Sequence, residues 1–292
     1  MLLNPITYHA PKTIPEAAQL QAALEDARIL AGGTFLLNNL KQLKKKGLKT
    51  PKNIVSLKNI PELRGISANE NQLTIKSMTV INDIFNSPLL KDNFSVLKTV
   101  CRNISTNPIR NMATLGGNLT SRYTWTELGA VLIALEANMH FIGAAGQETV
   151  VSVEDFFKNN ARSPGILTHV AIKRTKNQTF AYQRVRKMSY VDVPLLAICL
   201  RTTFQGDRFS DTRVAVNNCV NFARRDSTLE EFLNKSLSKN GVAEESLHHL
   251  DMALYDTRAD EYKKAVFRVH LREAVKELIT RKGKQHGNLH HQ

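Results

Sequence analysis

The sequence has 292 residues, of which 42% are hydrophobic, and its formal net charge is +14 at pH 7. This length allows one large domain or two ordinary ones, and the hydrophobic content is sufficient for buried cores. The apolar runs are shorter than the roughly 20 residues of a membrane-spanning helix, and the N-terminus lacks the pattern of a secretory signal. We therefore expect a cytoplasmic protein with no membrane span.

Short strands and helices alternate over the first 175 residues. In chain order, hydrophobic periodicity predicts a helix at 15–25, a strand at 28–31, a helix at 35–45, strands at 53–56, 63–67 and 73–77, helices at 80–85, 94–103 and 127–137, strands at 139–142 and 149–151, and a helix at 153–159.

After a polar, basic stretch at 173–179, the pattern changes. Strands come first, at 181–185, 193–203 and 213–222, and helices follow at 228–236 and 258–280. Strands grouped before helices indicate a separate α+β domain. We therefore predict one domain at 1–175, with subdomains at about 1–57 and 58–175, a second at 178–282, and a disordered tail at 283–292.

The three cysteines, Cys101, Cys199 and Cys219, are isolated from one another. Their spacing fits no zinc site, iron–sulfur cluster or disulfide framework, so we expect reduced core residues and no metal site in this chain.

Basic residues cluster at 41–52, 184–187 and 281–291. Three interpretations are open: a solvated basic face, a docking surface for an acidic partner subunit, or a nucleic-acid interface. Because the clusters lack interleaved aromatic residues and any known nucleic-acid motif, nucleic acid is the partner we expect least.

The stretch RILAGGTFL, residues 28–36, places Gly32 and Gly33 between a predicted strand and a predicted helix. Glycine lets a ligand approach the backbone, and unpaired N–H groups at the start of a helix bind anions. The hydroxyl of Thr34 adds a donor, so this turn suits a pyrophosphate. The motif matches neither GxGxxG nor GxxxxGK(S/T), and a purely structural tight turn is the alternative.

A second glycine pair lies in ATLGGNL, residues 113–119, and we predict a turn of the same kind there. The preceding stretch NPIRN supplies Arg110, whose alternative role is a surface or partner salt bridge. Two glycine turns acting on one ligand suit a long, doubly phosphorylated molecule such as a dinucleotide.

These two motifs, with VEDFF near residue 155 and YQRVRKMSYVD at 182–192, resemble the FAD-binding (medium) subunits of molybdenum hydroxylases. That family includes the flavin subunits of xanthine, carbon monoxide and nicotinate dehydrogenases. The resemblance covers nearly the whole chain, since residues 254–275 are similar to the family's C-terminal segment. It implies an α+β fold, with a vanillyl-alcohol-oxidase-type (PCMH-type) FAD-binding domain of two subdomains and a C-terminal domain, like that of CO dehydrogenase flavoprotein, with a small antiparallel sheet and helices.

The resemblance also implies the residues that contact FAD. The family's first glycine motif wraps the pyrophosphate, its second also contacts the cofactor, and the position matching Ile104 packs near the isoalloxazine ring. The expected cofactor-binding residues are Ile29, Leu30, Ala31, Gly32, Gly33, Thr34, Phe35, Ile104, Thr114, Gly116, Gly117, Asn118, Ser121, Glu127, Leu167 and Arg184.

The sequence departs from the family pattern in the segment SRYTWTEL, residues 121–128. Glu127 stands in the place of a cofactor-contacting aspartate, and a first-turn helix carboxylate is its alternative role. Larger side chains replace small ones at Arg122, Tyr123 and Trp125. Arg184 replaces the family's lysine, which keeps the charge and changes the geometry.

The function implied is an FAD-binding electron-transfer subunit of a molybdopterin-dependent hydroxylase or dehydrogenase, assembled as a heterotrimer. Molybdopterin is expected in a large partner subunit and 2Fe–2S clusters in a small one, with FAD passing electrons to NAD or another acceptor. We expect no catalytic acid–base residue in this chain. The alternatives are a stand-alone FAD oxidoreductase, and a degenerate non-catalytic scaffold or basic nucleic-acid-binding protein.

Overall fold

The computed structural model describes residues 3–159, 163–189 and 191–287 of the chain. Within these ranges the strands form three sheets.

The N-terminal subdomain is a three-stranded parallel sheet flanked by helices. Its elements are β1 (Thr7–His9), α1 (Ile14–Ala23), β2 (Ala27–Leu30), α2 (Leu36–Lys45) and β3 (Asn53–Ser56). The strand order is β1-β3-β2, so β3 is the central, buried strand. Because β2 runs directly into the glycine turn, its carboxyl end presents that turn at the start of α2.

The second subdomain contains a five-stranded antiparallel sheet. Its elements are β4 (Ile66–Ala68), β5 (Gln72–Lys76), α3 (Ile81–Asn86), α4 (Ser95–Asn103), α5 (Asn107–Arg110), α6 (Leu115–Thr120), α7 (Glu127–Ala134), β6 (Asn138–Ile142), β7 (Glu148–Ser152), α8 (Val153–Lys158) and β8 (Ile166–Lys173). The strand order is β4-β5-β8-β6-β7. The sequence did not predict β8, because a strand buried on both faces shows no alternation of apolar and polar residues.

The C-terminal part contains a four-stranded antiparallel sheet in the order β12-β11-β10-β9. Its elements are β9 (Thr179–Val185), β10 (Leu196–Gln205), β11 (Arg208–Asn217), β12 (Arg224–Arg225), α9 (Ser227–Lys235), α10 (Val242–Glu245), α11 (Met252–Asp256) and α12 (Glu261–Gly287). No helix among the described residues is long and apolar enough to cross a membrane.

The C-terminal sheet is covered on both faces. On β10, Ile198 and Leu200 pack in the same apolar cluster as Leu271 of α12. The intervening Cys199 belongs instead to the cluster that contains Val131 of α7. Since alternate residues of a strand point to opposite faces, α12 and α7 cover opposite sides of this sheet. The N-terminal and C-terminal parts therefore share one packed boundary.

Some predicted boundaries need correction. The strand predicted at 63–67 begins at Ile66, because residues Pro61–Leu63 form a 3₁₀ turn. The third C-terminal strand, predicted from Arg213, begins at Arg208 and pairs with β10 as a hairpin. Helix α12 continues to Gly287, within the predicted disordered tail, and residues 288–292 lie outside those described.

Candidate functional site

A cleft of about 1420 Å³ lies between the two N-terminal subdomains and the loop that precedes β10. Pockets for drug-sized ligands usually measure about 300–1,000 Å³, so this cleft has room for a longer molecule. The predicted residues that line it are Ile29, Ala31, Gly32, Gly33, Thr34, Phe35, Ile104, Thr114, Gly116, Gly117, Asn118, Ser121, Glu127 and Leu167. Leu30 and Arg184 are absent from this lining.

The two glycine motifs pack directly against each other. A Cβ at Gly32 would overlap the carbonyl oxygen of Met112, just before the second motif, and would lie 2.8 Å from its carbonyl carbon. A Cβ at Gly117 would lie 3.3 Å from the Cβ of Ala31. Gly33 has φ +71°, a left-handed conformation that glycine adopts without strain. The motifs therefore form one continuous wall of the cleft.

The turn before α2 presents backbone donors to this cleft. Phe35, at the N-cap, makes no side-chain capping hydrogen bond. Among the described residues, the N–H groups of Gly33, Thr34 and Phe35 donate to no backbone acceptor. Unpaired N–H groups and the positive end of a helix dipole favour a bound anion. This geometry fits the predicted pyrophosphate contact.

The second glycine motif forms a helix, so the predicted turn at 113–119 is wrong. The Thr114 hydroxyl oxygen caps α6 by accepting a hydrogen bond from the Gly117 N–H at 3.1 Å. The Ser121 hydroxyl donates to the Asn118 carbonyl at 2.9 Å. Gly116 packs on Ser77, where a Cβ would lie 2.9 Å from the Ser77 Cβ. Tertiary packing thus stabilises a glycine-containing helix that local propensity disfavours, and both hydroxyl groups have partners inside the protein.

Two neutral polar atoms in the wall of the cleft have no hydrogen-bond partner in the part of the chain that the structure describes. Ser77 Oγ and Asn118 Oδ1 are buried and make no hydrogen bond among the described residues. A buried polar atom left unpaired costs about 1–3 kcal/mol, so such atoms beside a cleft are suited to hydrogen-bond a polar ligand. Together with the glycine cradle, they fit a polar dinucleotide. Sequence reasoning missed Ser77, since no local motif distinguishes a serine at the end of β5.

Arg110 holds the loop that carries Ile104. Its Nη1 donates to the carbonyl oxygens of Ile104 and Ser105 at 3.0 Å each, and to that of Arg102 at 3.3 Å. No salt bridge of Arg110 occurs within the part of the chain that the structure describes, and a salt bridge to a partner stays untested. Ser105 has φ +48°, so the chain turns sharply after α4 and places Ile104 in the cleft.

Glu127 and Arg184 form a buried ion pair with Asp192. Arg184 Nε donates to Glu127 Oε1 at 2.9 Å, and Arg184 Nη2 donates to Asp192 Oδ1 at 3.0 Å. Tyr182 donates its hydroxyl hydrogen to Glu127 Oε1 at 2.6 Å. Glu127 and Asp192 line the cleft, whereas the guanidinium of Arg184 lies between the two carboxylates. Glu127 is also the first residue of α7, the position of a first-turn helix carboxylate, and its contact with the cofactor stays a prediction.

The environment shifts the pKa values of this network in different directions. Burial raises the pKa of Glu127, and the hydrogen bond from Tyr182 and the charge of Arg184 only partly offset that effect. Burial alone would also raise the pKa of Asp192, but the backbone N–H groups of Lys187 and Met188 and the guanidinium of Arg184 together hold it below its ordinary value.

The segment after the second glycine motif contributes large side chains. Arg122, with φ +52°, donates from Nη2 to the carbonyl oxygens of Phe156 and Asn159 at 2.7 Å each and so caps the end of α8. Tyr123 and Trp125 stack in the cleft with ring centroids 4.5 Å apart. No group of three or more metal-binding side chains comes together in the part of the chain that the structure describes.

The comparisons with known proteins agree with this geometry. Residues 4–172 match the family model for the FAD-binding domain in molybdopterin dehydrogenase. The carbon monoxide dehydrogenase medium chain of Hydrogenophaga pseudoflava is 29% identical over 80% of this chain and 82% of its own length. The nicotine 6-hydroxylase medium subunit of Paenarthrobacter nicotinovorans is 28% identical over 81% of this chain and 82% of its own length.

Solved structures show the same fold. A chain of carbon monoxide dehydrogenase from Hydrogenophaga pseudoflava superposes with a TM-score of 0.88 at 24% identity, covering 96% of this chain and 99% of that one. A chain of quinoline 2-oxidoreductase from Pseudomonas putida 86 superposes with a TM-score of 0.83 at 22% identity. The superposition covers 96% of this chain and 99% of that one. The arrangement is therefore that of a PCMH-type FAD domain followed by a C-terminal domain. The family match, which covers more than half of the chain, shows that the protein belongs to the FAD-binding subunits of the molybdenum hydroxylase family of oxidoreductases.

Proposed function

We propose that this protein is the electron-transfer subunit of a molybdenum hydroxylase complex and passes electrons from 2Fe–2S clusters of a partner subunit, through FAD, to NAD or another acceptor. The observation that carries the proposal is the cleft in which the two glycine motifs form one wall and Ser77 Oγ and Asn118 Oδ1 lack partners. When bound, FAD supplies the redox chemistry, and the protein supplies binding, orientation and electrostatics.

Each part of the wall has a proposed role toward the cofactor. The free N–H groups of Gly33 to Phe35 bind the pyrophosphate. Ser77 and Asn118 hydrogen-bond polar groups of the cofactor, and Ile104 makes an apolar contact with its ring system. Arg184 acts through Glu127, because it holds that carboxylate at the edge of the cleft without lining the cleft itself.

The partners are proposed from the relatives, several of which are named medium chains or medium subunits. We expect this chain to assemble with a large molybdopterin subunit and a small 2Fe–2S subunit as a heterotrimer. The cytoplasmic location expected from the sequence stays a prediction.

FAD binding is tested first on the purified chain, from its visible spectrum and from titration of the apoprotein with FAD. Gly33→Ala adds a Cβ at φ +71° inside the cleft, and Gly206→Ala adds one at φ +58° in the β10–β11 turn. Both variants carry a similar backbone strain of about 1 kcal/mol. We expect only Gly33→Ala to lose FAD affinity. A wild-type chain that takes up no FAD would overturn the proposal, and steeply salt-dependent DNA or RNA binding would then favour the nucleic-acid alternative.

Assembly is tested by recovering the tagged chain from its native cells. Co-purification of a molybdopterin subunit and a cysteine-rich iron–sulfur subunit is the expected result. Substrate turnover by the isolated flavin-loaded chain, without such partners, would favour the stand-alone oxidoreductase instead.

A further inference from the structure

Three aromatic side chains, Phe35, Tyr123 and Trp125, form a cluster in the wall of the cleft, in which Tyr123 and Trp125 stack and the Phe35 ring is tilted by 49° against Tyr123. The ring centroids of Phe35 and Tyr123 are 4.0 Å apart, and those of Tyr123 and Trp125 are 4.5 Å apart with only 16° between the ring planes. Phe35 and Trp125 are 6.4 Å apart and inclined by 52°, so the three rings form a bent cluster in which Tyr123 contacts both. We call these three residues the aromatic stack.

The aromatic stack joins the two motifs assigned to the cofactor. Phe35 ends the first glycine turn, whereas Tyr123 and Trp125 follow the second glycine motif. All three line the cleft. The aromatic stack therefore lies next to the backbone donors proposed for the pyrophosphate, within reach of the groups that flank a pyrophosphate in a dinucleotide.

Core packing does not account for these rings. Phe35 is 40% exposed, and Tyr123 and Trp125 are only partly buried. None of the three belongs to an apolar cluster in the described part of the fold. Large aromatic surfaces left open in a cleft are typical of ligand sites, since such pockets are lined mainly by apolar and aromatic side chains with a few polar groups.

We propose that the aromatic stack is a platform on which a planar ring of FAD stacks, with Trp125 as the residue that contacts it. The proposal rests on the proposed function, because it specifies how the same cleft binds its cofactor. Tyr123 has two ring neighbours with centroids within 4.5 Å, whereas Trp125 has one, so more of the Trp125 ring is open to a ligand. Aromatic rings prefer offset stacking with other π-systems, and Trp offers the largest such surface.

Substitution of Trp125 tests the platform. When an aromatic side chain that stacks on a base is replaced by alanine, the affinity for the base typically falls about five- to 150-fold. We expect Trp125→Ala to raise the Kd for FAD about tenfold, and Trp125→Phe and Tyr123→Phe to stay within about threefold of wild type because they keep a ring. Tyr262→Ala, which removes a 67% exposed aromatic side chain on α12, is the matched control and should bind FAD like wild type.

Thermal unfolding of each apoprotein separates this role from a structural one, and the variants should unfold within a few degrees of wild type. Trp125→Ala with unchanged FAD affinity would overturn the platform and leave the proposed function intact. A wild-type chain without FAD affinity would overturn the proposed function, and the platform with it.

Fragments of the cofactor identify the ring that stacks. Trp125 is the only tryptophan in the sequence, so quenching of wild-type fluorescence reports on this position alone, and calorimetry, which needs no tryptophan, compares wild type with Trp125→Ala. The affinities of AMP and riboflavin are measured for wild type and Trp125→Ala. A loss confined to AMP assigns adenine, and a loss confined to riboflavin assigns the isoalloxazine; either result supports the platform. Equal affinities of both variants for both fragments would overturn it.

Discussion

Gly32 lies against the backbone of Met112 so closely that any side chain at position 32 would overlap the Met112 carbonyl group. The turn before α2 and the segment before α6 are therefore parts of one wall, although they lie far apart in the sequence. The glycine at position 32 is required by contact between two parts of the same chain, and the ligand then uses the backbone surface that this contact creates.

The first prediction concerns this contact. Gly32→Ala should lower the free energy of unfolding by about 3 kcal/mol or prevent folding, because the new Cβ meets backbone atoms that cannot move independently. Gly47→Ala is the control, since a Cβ there meets nothing within 4 Å and only the φ of +67° is strained. It should cost about 1 kcal/mol. Urea unfolding measures the free energy of unfolding of both variants. A Gly32→Ala protein as stable as wild type would contradict the close contact between Gly32 and Met112.

The second prediction separates stability from cofactor affinity at Ser77. Ser77→Ala removes a buried hydroxyl without a partner, so the apoprotein should unfold at the same temperature as wild type or higher. Its affinity for FAD should fall about fivefold, which corresponds to one hydrogen bond of about 1 kcal/mol.

Ser87→Ala provides the opposite pattern. The Ser87 hydroxyl oxygen accepts a hydrogen bond from the Leu89 N–H at 3.3 Å, outside the cleft lining. This variant should lose about 1 kcal/mol of stability and keep its FAD affinity. The assignment of Ser77 fails if Ser77→Ala destabilises the apoprotein and leaves FAD binding unchanged.

The third prediction concerns the loop that carries Ile104. Arg110→Ala leaves three carbonyl groups without their donor, which should cost about 1–3 kcal/mol and speed amide hydrogen exchange around residues 104–106. FAD affinity should also fall, because Ile104 loses its fixed position. Arg64→Ala removes one long, exposed hydrogen bond of 3.4 Å and serves as the control. Unchanged exchange in Arg110→Ala would show that the loop is held by other contacts.

The fourth prediction is a pH dependence at Asp192. The folded-state pKa of this carboxyl lies below its ordinary value near 3.9, so its contribution to stability is present above that value and is lost as the pH falls through the folded-state pKa. Asp192→Asn should therefore lose about 1–3 kcal/mol at pH 7, and the difference from wild type should shrink between pH 5 and pH 3.

Glu127→Gln is the contrasting variant. The pKa of Glu127 is raised in the folded state, so its contribution is present at low pH and is lost as the pH rises through that pKa. Wild type should thus gain stability relative to Glu127→Gln as the pH falls. Thermal unfolding from pH 7 to pH 3 measures the stability of both variants relative to wild type. A stability difference between wild type and Asp192→Asn that does not change with pH would contradict the lowered pKa of Asp192.

Local patterns in the sequence predicted much of the fold. The helix at 35–45 and the strand at 53–56 follow from apolar periodicity and agree closely with Leu36–Lys45 and Asn53–Ser56. The same patterns failed at β8, where both faces are buried and the apolar run is continuous. They failed again at α6, where a helix contains two glycines because Ser77 and Ala31 pack closely against them.

Some features of the candidate site likewise follow from local sequence, and the others depend on tertiary contacts. The sequence by itself predicted the glycine turn before α2, because glycine acts on the conformation of its own few residues. Only the tertiary structure decided that Gly32 meets Met112, that Ser77 Oγ has no partner, and that Arg184 pairs with Glu127 outside the cleft lining. Each of these depends on contact between residues distant in the chain, and on burial that removes water as the alternative hydrogen-bonding partner.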